Sequence, residues 1–176
     1  MTEVQGVTSA DVLTDAFGRV REAVHRVVEG LTADQLAVRL DPGANSICWL
    51  IWHLTRVQDD HLADAFGADQ LWPGFEQRFG LPLASLDTGY GHSSEQVAQV
   101  RVSSPGLLTE YYDAVHTETI KFVSGLSDAD LDRIVDYAWD PPVSLGVRLV
   151  SVISDDLQHA GQAAYLRGLI ERGLGG

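Results

Sequence analysis

The residues best suited to chemistry in this sequence are two histidines and a carboxylate on two apolar helical segments. Asp155 and His159 are four residues apart, so a helix places them about 40° and one turn apart on the same face. Two side chains at this spacing can bind one metal ion. His53 lies on an earlier apolar segment and can supply a third ligand. Two imidazoles and a carboxylate suit Zn²⁺, Fe²⁺ or Ni²⁺ and leave positions for water or substrate.

The identity of the carboxylate stays open when spacing alone is considered. Asp156 is three residues before His159 and lies nearer the centre of the apolar stripe than Asp155. A histidine on an apolar face is commonly a core residue with satisfied hydrogen bonds, and Asp155 could simply hydrogen-bond to His159. A buried, unpaired carboxylate is costly, however, so its presence beside a histidine favours a cation as its partner.

The other reactive side chains rank lower. His61 lies eight residues after His53, about 12 Å along a helix, which is too far to share an ion but close enough to line a pocket. Cys48, within an apolar run, is predicted to be buried and inert. The remaining histidines have no partner at metal-ligand spacing and are predicted to be surface or structural residues: His25, His92 and His116.

The elements that must position these residues are four long helices. Apolar periodicity and glycine stops predict them over residues 9–29, 46–66, 105–124 and 144–172. Ser9 is the expected N-cap of the first helix, and Asn45 or Ser46 that of the second. A shorter helix is expected over 94–102, and residues 67–91 predict a long ordered loop between the second and third long helices. No stretch shows strand alternation. We therefore predict an all-α four-helix bundle formed by residues 1–176 as a single domain.

A weak internal repeat gives the second and fourth long helices a reason to meet. Residues 30–41 and 125–136 each contain a glycine stop, a Thr or Ser cap and a short turn, and each segment is followed by proline and an apolar helix. If the repeat is genuine, these two helices face each other across a pseudo-twofold axis. The alternative is that both segments are merely common helix connections.

Composition limits the partners and the compartment. The chain has 25 acidic and 12 basic residues, which argues against binding nucleic acid or an anionic membrane surface. A single cysteine fits a reducing compartment. No secretory signal is visible over residues 1–8, and the apolar run at 47–52 is too short to span a bilayer. A cytoplasmic location is therefore expected.

Short motifs on the second and fourth helices resemble the DinB-like superfamily of four-helix proteins, which includes bacillithiol and mycothiol S-transferases. The matching pieces are Trp-His-Leu at 52–54, Asp-Asp-His at 59–61, the stretch 155–163 and Leu-Arg at 166–167. The His-Ala-Gly-Gln and Leu-Arg pieces look particularly like the mycothiol-transferase branch. The helix order covers nearly the whole chain.

The resemblance implies a metal-ligand set. In the superfamily the metal is held by one histidine from the second helix and an i, i+4 histidine pair from the fourth. His53 and His159 match two of these positions, and Asp155 stands in place of the first histidine of the pair. The resemblance thus favours Asp155 over Asp156. A carboxylate is a harder ligand than imidazole and shifts the preference toward Fe²⁺, Mn²⁺ or Zn²⁺.

The resemblance also implies an activity and an assembly: a metal-dependent S-transferase that joins a low-molecular-weight thiol to a small electrophile, and a homodimer. Lys121 is the single lysine, which is typical of a GC-rich genome such as an actinobacterial one, where the thiol would be mycothiol. Trp72 and Tyr90 are candidates for covering the ligands. Arg148 is a candidate for meeting an anionic group, or else for a surface salt bridge. The alternative function is a non-catalytic, metal-binding or metal-free module related to stress.

Overall fold

Four long helices form the body of the computed structural model, which describes residues 6–174. In chain order the elements are α1 (Ser9–Val28), α2 (Ala33–Leu36), α3 (Ile47–Phe66), α4 (Glu76–Phe79), α5 (Ser94–Gln99), α6 (Pro105–Val123), β1 (Ile134–Asp136), β2 (Val143–Ser144) and α7 (Leu145–Ile170), with 3₁₀ turns at Trp72–Gly74 and Asp128–Asp132. The predicted all-α four-helix bundle is confirmed. Within residues 6–174, no helix combines the length and the apolar character needed to cross a membrane.

The ends of the long helices follow local hydrogen-bonding rules. The Ser46 side chain caps α3 by accepting from the Trp49 N–H, and Gly67 ends that helix in the left-handed conformation, with φ of 64°. The predicted cap of α1 was wrong by one residue, because Thr8 rather than Ser9 is the N-cap. The reason is that Asp11 lies three residues after Thr8 and completes a capping box with it.

The helices pack so that α1 and α3 each contact both α6 and α7, and the interface between α3 and α7 is the most extensive. The two segments of the suspected repeat have the same local structure. Thr32 forms a capping box with Gln35 before α2, and Ser127 forms one with Asp130 at the second 3₁₀ turn. The helices that follow the two segments, α3 and α7, meet along their length, as the repeat predicts.

Two segments differ from the sequence prediction. The stretch 67–91 contains helical turns, α4 and the 3₁₀ turn Trp72–Gly74, rather than loop alone. The expectation of no strands was wrong, because β1 and β2 form a small antiparallel hairpin in which Ile134 faces Ser144 and Asp136 faces Val143. Strands of three and two residues are too short to show an alternating pattern. The hairpin places Asp136 beside the start of α7.

The core consists of two apolar clusters that α7 joins. Val152 belongs to one cluster and Ala160 to the other. Between them on α7 lies the fully buried side chain of Asp156. Cys48 is also buried as predicted, and burial raises the pKa of its thiol to about 12.

Candidate metal centre

His53 projects from α3 into the α3–α7 interface. Almost every side of α3 is apolar around this position, so the helix is interior and His53 itself is only 6% exposed. Its Nδ1 lies 2.5 Å from the backbone carbonyl oxygen of Thr88. Since a carbonyl only accepts, Nδ1 carries the proton and donates it. Nε2 of His53 therefore presents a lone pair on the other side of the ring.

Asp155 and His159 occupy successive turns of α7, opposite His53. The His159 Nε2 lies 3.6 Å from Oδ1 of Asp155, too far for a good hydrogen bond. The His159 Nδ1 lies 3.3 Å from Oε1 of Gln162, which favours the proton on Nδ1 and the lone pair on Nε2. The two histidines thus have the same tautomer, each fixed by an oxygen acceptor on the far side of its ring.

The three predicted ligands come together in the structure. One ligand atom from each of His53, Asp155 and His159 lies within 4.8 Å of the other two, and within residues 6–174 this is the one group of three or more such side chains. The rings of the two histidines are 4.8 Å apart at 77°. Trp49 packs against both rings, stacked on His53 at 4.5 Å and edge-on to His159 at 6.2 Å.

The electrostatics of the three groups match this arrangement. Burial lowers the pKa of His53, a shift that the Thr88 carbonyl and Asp155 only partly oppose. The interaction with Asp155 raises the pKa of His159, partly against burial. Burial acts to raise the pKa of Asp155, but His159 and His53 outweigh it and leave that pKa below the ordinary value. At neutral pH the site therefore contains a carboxylate and a neutral His53.

The donor set fits a divalent cation. Oδ2 of Asp155 is buried with no hydrogen-bond partner among the described residues, and a carboxylate oxygen in that condition is costly unless a cation meets it. Metal-bound histidines nearly always donate their other ring N–H to an oxygen, as His53 and His159 do here. Two nitrogens and one carboxylate oxygen are ligands that Zn²⁺ and Fe²⁺ accept.

Comparison with known proteins fits this geometry. A family model described as mycothiol S-transferase matches residues 12–172, nearly the whole chain. The chain belongs to the mycothiol S-transferase family. The predicted membership of the DinB-like superfamily, in its mycothiol-transferase branch, is confirmed. No curated protein sequence matches the chain.

Solved structures share the fold of this mycothiol S-transferase family member. A conserved protein of Enterococcus faecalis is 28% identical, with a TM-score of 0.88 over 95% of this chain and 99% of that one. A DinB-like protein of Bacillus cereus is 19% identical, with a TM-score of 0.57 over 92% and 91%. YfiT of Bacillus subtilis, described as a probable metal-dependent hydrolase with an unusual four-helix bundle topology, is 14% identical, with a TM-score of 0.60 over 98% and 94%.

The other residues singled out in the sequence lie in different surroundings. Trp72 is buried in the core, where its ring faces the Arg56 guanidinium and Tyr111, so it does not cover the metal centre. Tyr90 is 93% exposed. Asp156 points into the core, and its fully buried carboxyl has a pKa raised well above the ordinary value. The group of candidate metal ligands in this family member therefore contains Asp155 and not Asp156.

His61 and Arg148 line an open cavity of about 440 Å³ with Asp60, Gln70 and Asp136. Arg148 donates to Oδ2 of Asp136 at 2.7 Å and to Nδ1 of His61 at 2.9 Å. Because Nδ1 of His61 accepts, its proton lies on Nε2. His61 is near enough to Asp155 for each to influence the other's pKa. The cavity thus lies between α3 and α7, as the candidate metal centre does, but nearer the end of α3.

Sequence reasoning missed a group of residues behind His53. His92, predicted to be a surface or structural residue, is a buried one: its side chain is only 3% exposed and hydrogen-bonds to Trp49 and Asp87, a connection that the sequence did not indicate. Thr88 and Gly89, in the same segment, contact His53 directly. Loop residues follow no helical period, so spacing carried no signal; the Asp-Thr-Gly-Tyr-Gly run, rich in turn formers, was the available clue.

Proposed function

We propose that the protein is a metal-dependent S-transferase that joins a low-molecular-weight thiol of the mycothiol type to a small electrophile. The observation that carries the proposal is the convergence of His53, Asp155 and His159 in a chain that the mycothiol S-transferase family model matches over residues 12–172. Family membership supports the thiol as a substrate, and the ligand cluster supports the dependence on metal.

His53, Asp155 and His159 are the residues that would hold the ion, which is Zn²⁺, Fe²⁺, Mn²⁺ or Ni²⁺ on the chemistry of these ligands. A divalent ion there would supply the positive charge that keeps a thiol in its nucleophilic thiolate form at neutral pH. Hydrogen bonds from Nδ1 to the Thr88 carbonyl and to Gln162 orient the two imidazoles and leave both Nε2 lone pairs available to an ion. Three protein ligands leave room for an exogenous one.

The cavity lined by His61 and Arg148 is the proposed place for the remaining part of the substrates. His61 offers an N–H donor at Nε2, because Arg148 occupies its Nδ1. Asp60 and Asp136 offer carboxylate oxygens on the same wall. Since Asp136 and His61 already engage Arg148, we assign it the role of orienting His61, in addition to the predicted contact with an anionic group. The exposed Tyr90 side chain remains available to cover a bound ligand.

The test is a conjugation assay combined with metal analysis. The purified protein is stripped with a chelator and reconstituted separately with Zn²⁺, Fe²⁺, Mn²⁺ and Ni²⁺. Mycothiol, cysteine and glutathione are then each assayed with a fluorogenic bimane electrophile. We expect conjugation with at least one thiol only after reconstitution, and loss of both metal and activity in His159→Ala. Gln158→Ala, an exposed neighbour on α7, is the control that should keep both.

Two results would contradict the proposal in different ways. Stoichiometric metal without conjugation by any thiol would favour a non-catalytic metal-binding module. A protein that takes up none of the four metals, although it is folded, would remove the metal centre itself. Conjugation that survives in His159→Ala at the wild-type rate would place the reaction elsewhere in the molecule.

A further inference from the structure

The segment between α4 and α5 packs directly on the first metal-ligand candidate. The Thr88 carbonyl accepts the Nδ1 proton of His53. The next residue, Gly89, has φ of 92°, and a Cβ there would lie 2.9 Å from Nδ1 of His53 and 3.0 Å from the Trp52 ring. Only glycine allows the chain to come this close in this conformation. The backbone at 88–89 is therefore shaped to reach the histidine.

The Asp87 carboxylate fixes the position of this turn through hydrogen bonds. It accepts from the Gly89 N–H at 2.7 Å and from Nε2 of His92, which lies 2.9 and 3.0 Å from its two oxygens. Burial acts to raise the pKa of Asp87, but these hydrogen bonds outweigh burial and keep the pKa below its ordinary value. The Asp87 carbonyl also accepts from Nε of the buried Arg56 at 3.1 Å. Both ends of the turn are thus fixed to the interior.

Trp49 closes the connection back to His53. Its indole N–H, which can only donate, lies 3.0 Å from Nδ1 of His92. The proton of His92 is therefore on Nε2, where it donates to Asp87. The Trp49 ring in turn stacks on His53 with an interplanar angle of 16°. Thr88 therefore contacts the edge of the His53 ring and Trp49 contacts its face. Hydrogen bonds through His92 and Asp87 connect Trp49 to the turn that contains Thr88.

We propose that Trp49, Asp87, Gly89 and His92, together with the Thr88 carbonyl, act as a positioning group, the His53 support, that sets the tautomer and direction of His53 for metal binding. This inference rests on the metal centre proposed above and assigns it residues that lie outside the ligand set. These residues do not touch the ion; they act through His53. Outer partners of this kind typically change metal affinity by about 10- to 100-fold.

The first test measures metal affinity. Co²⁺ binding to the stripped protein is followed by its visible absorption and by competition with a chromophoric chelator. Trp49→Phe keeps an aromatic face on His53 but removes the N–H donor, and Asp87→Asn keeps an acceptor for Gly89 but removes the charge. We expect each to weaken Co²⁺ binding by about 10-fold and to alter the spectrum. Leu86→Ala is the matched control, because Leu86 precedes this turn with its side chain 75% exposed, and it should bind Co²⁺ like the wild type.

The second test needs no metal. Long-range ¹H–¹⁵N spectra of the stripped protein report which ring nitrogen of His53 carries the proton. We expect Nδ1–H in the wild type and in Leu86→Ala, and a shift of population toward Nε2–H in Trp49→Phe and Asp87→Asn. Far-UV circular dichroism confirms that all the variants are folded. A purely structural role would leave the tautomer unchanged.

The outcomes separate this inference from the proposed function. Wild-type Co²⁺ affinity and an unchanged His53 tautomer in both variants would overturn the His53 support while leaving the metal centre intact. No Co²⁺ binding by the wild type would overturn both proposals. Weaker Co²⁺ binding by the variants, in a protein that conjugates no thiol, would confirm the role of the His53 support and reject the transferase.

Discussion

Asp155 and Asp156 are neighbours in sequence but have opposite environments. About 100° of helical rotation separates them, which turns Asp155 toward two histidines and Asp156 into the core between Val152 and Ala160. The histidines keep the pKa of Asp155 low, whereas full burial raises that of Asp156. One residue of register therefore decides which carboxyl is charged and available to a cation.

The interaction between Asp155 and His159 should make the site respond to pH. Because Asp155 raises the pKa of His159, the metal-free histidine should titrate above the usual 6.5. The pair stabilises the metal-free fold fully below pH 6.5, and this contribution is lost as pH rises through the higher folded-state pKa. An NMR titration of the metal-free protein should show this pKa, and Asp155→Asn should lower it.

The proton on Nε2 of His159 should compete with a metal ion for that nitrogen. An ion must displace the proton from Nε2 of His159, so Co²⁺ affinity should fall as pH drops through that pKa, by up to about 10-fold per pH unit. Co²⁺ titrations of the wild type at several pH values provide the measurement. Affinity that is flat across this range would mean that His159 does not bind the ion.

At the residue scale, helical spacing and the family resemblance predicted the three candidate ligands but not the loop residues that contact them. The spacing of Asp155 and His159 placed both on one face, and the resemblance selected Asp155 over Asp156; the structure brings it together with His53. The support from Thr88 and Gly89 was invisible, because it depends on a loop approaching within contact distance. Arg148 was a candidate for binding an anionic group or for a surface salt bridge, and the structure shows a salt bridge to Asp136, on a hairpin that was not predicted.

At the scale of elements, the start of α1 offers a direct comparison of two cap candidates. Thr8 accepts from the Asp11 N–H, and its own N–H donates to Asp11. Thr8→Ala should therefore lower the free energy of unfolding by about 1 kcal/mol. Ser9→Ala, one residue inside the helix, should change it by only a few tenths. Urea unfolding measures both, and equal effects would contradict the assignment of Thr8 as the cap.

The long helices were predictable because each has a strong start, a glycine or similar stop and an apolar stripe. Ser46, Gly67 and Pro105 illustrate these signals. The hairpin at 134–144 was not predictable, because its pairing is set by where Arg133 and Asp136 meet other elements rather than by an apolar pattern. Arg133 donates to the Ala65 carbonyl at 3.1 Å, and Asp136 accepts from Arg148. Such contacts exist only after the bundle has formed.

At the scale of the whole molecule, the buried Asp156 makes stability depend on pH. Its folded-state pKa is raised well above the ordinary value, so the folded protein must keep this carboxyl protonated while the unfolded chain does not. Stability is lost from about pH 4 upward, by up to about 1.4 kcal/mol per pH unit, until the folded-state pKa is reached. Asp156→Asn carries no such proton and should gain stability relative to the wild type as pH rises.

Chemical unfolding of the metal-free wild type and Asp156→Asn at pH 5 and pH 7 gives the measurement. The difference between the two proteins should grow with pH. Asp128→Asn, an exposed site in the 3₁₀ turn, should show no such trend. Parallel behaviour of the wild type and Asp156→Asn would mean that Asp156 is ionised in the folded state and has found a partner.

The burial of Cys48 bears on the proposed reaction with electrophiles. A reagent that alkylates a small thiol would also alkylate an accessible cysteine of the protein. Here the single cysteine is 0% exposed and its thiol pKa is about 12, so almost no thiolate is present at neutral pH. If the proposed function holds, Cys48 should therefore escape alkylation by the electrophilic substrate. Intact-mass spectra after prolonged exposure to the bimane should show unmodified protein, whereas urea-unfolded protein should gain one adduct.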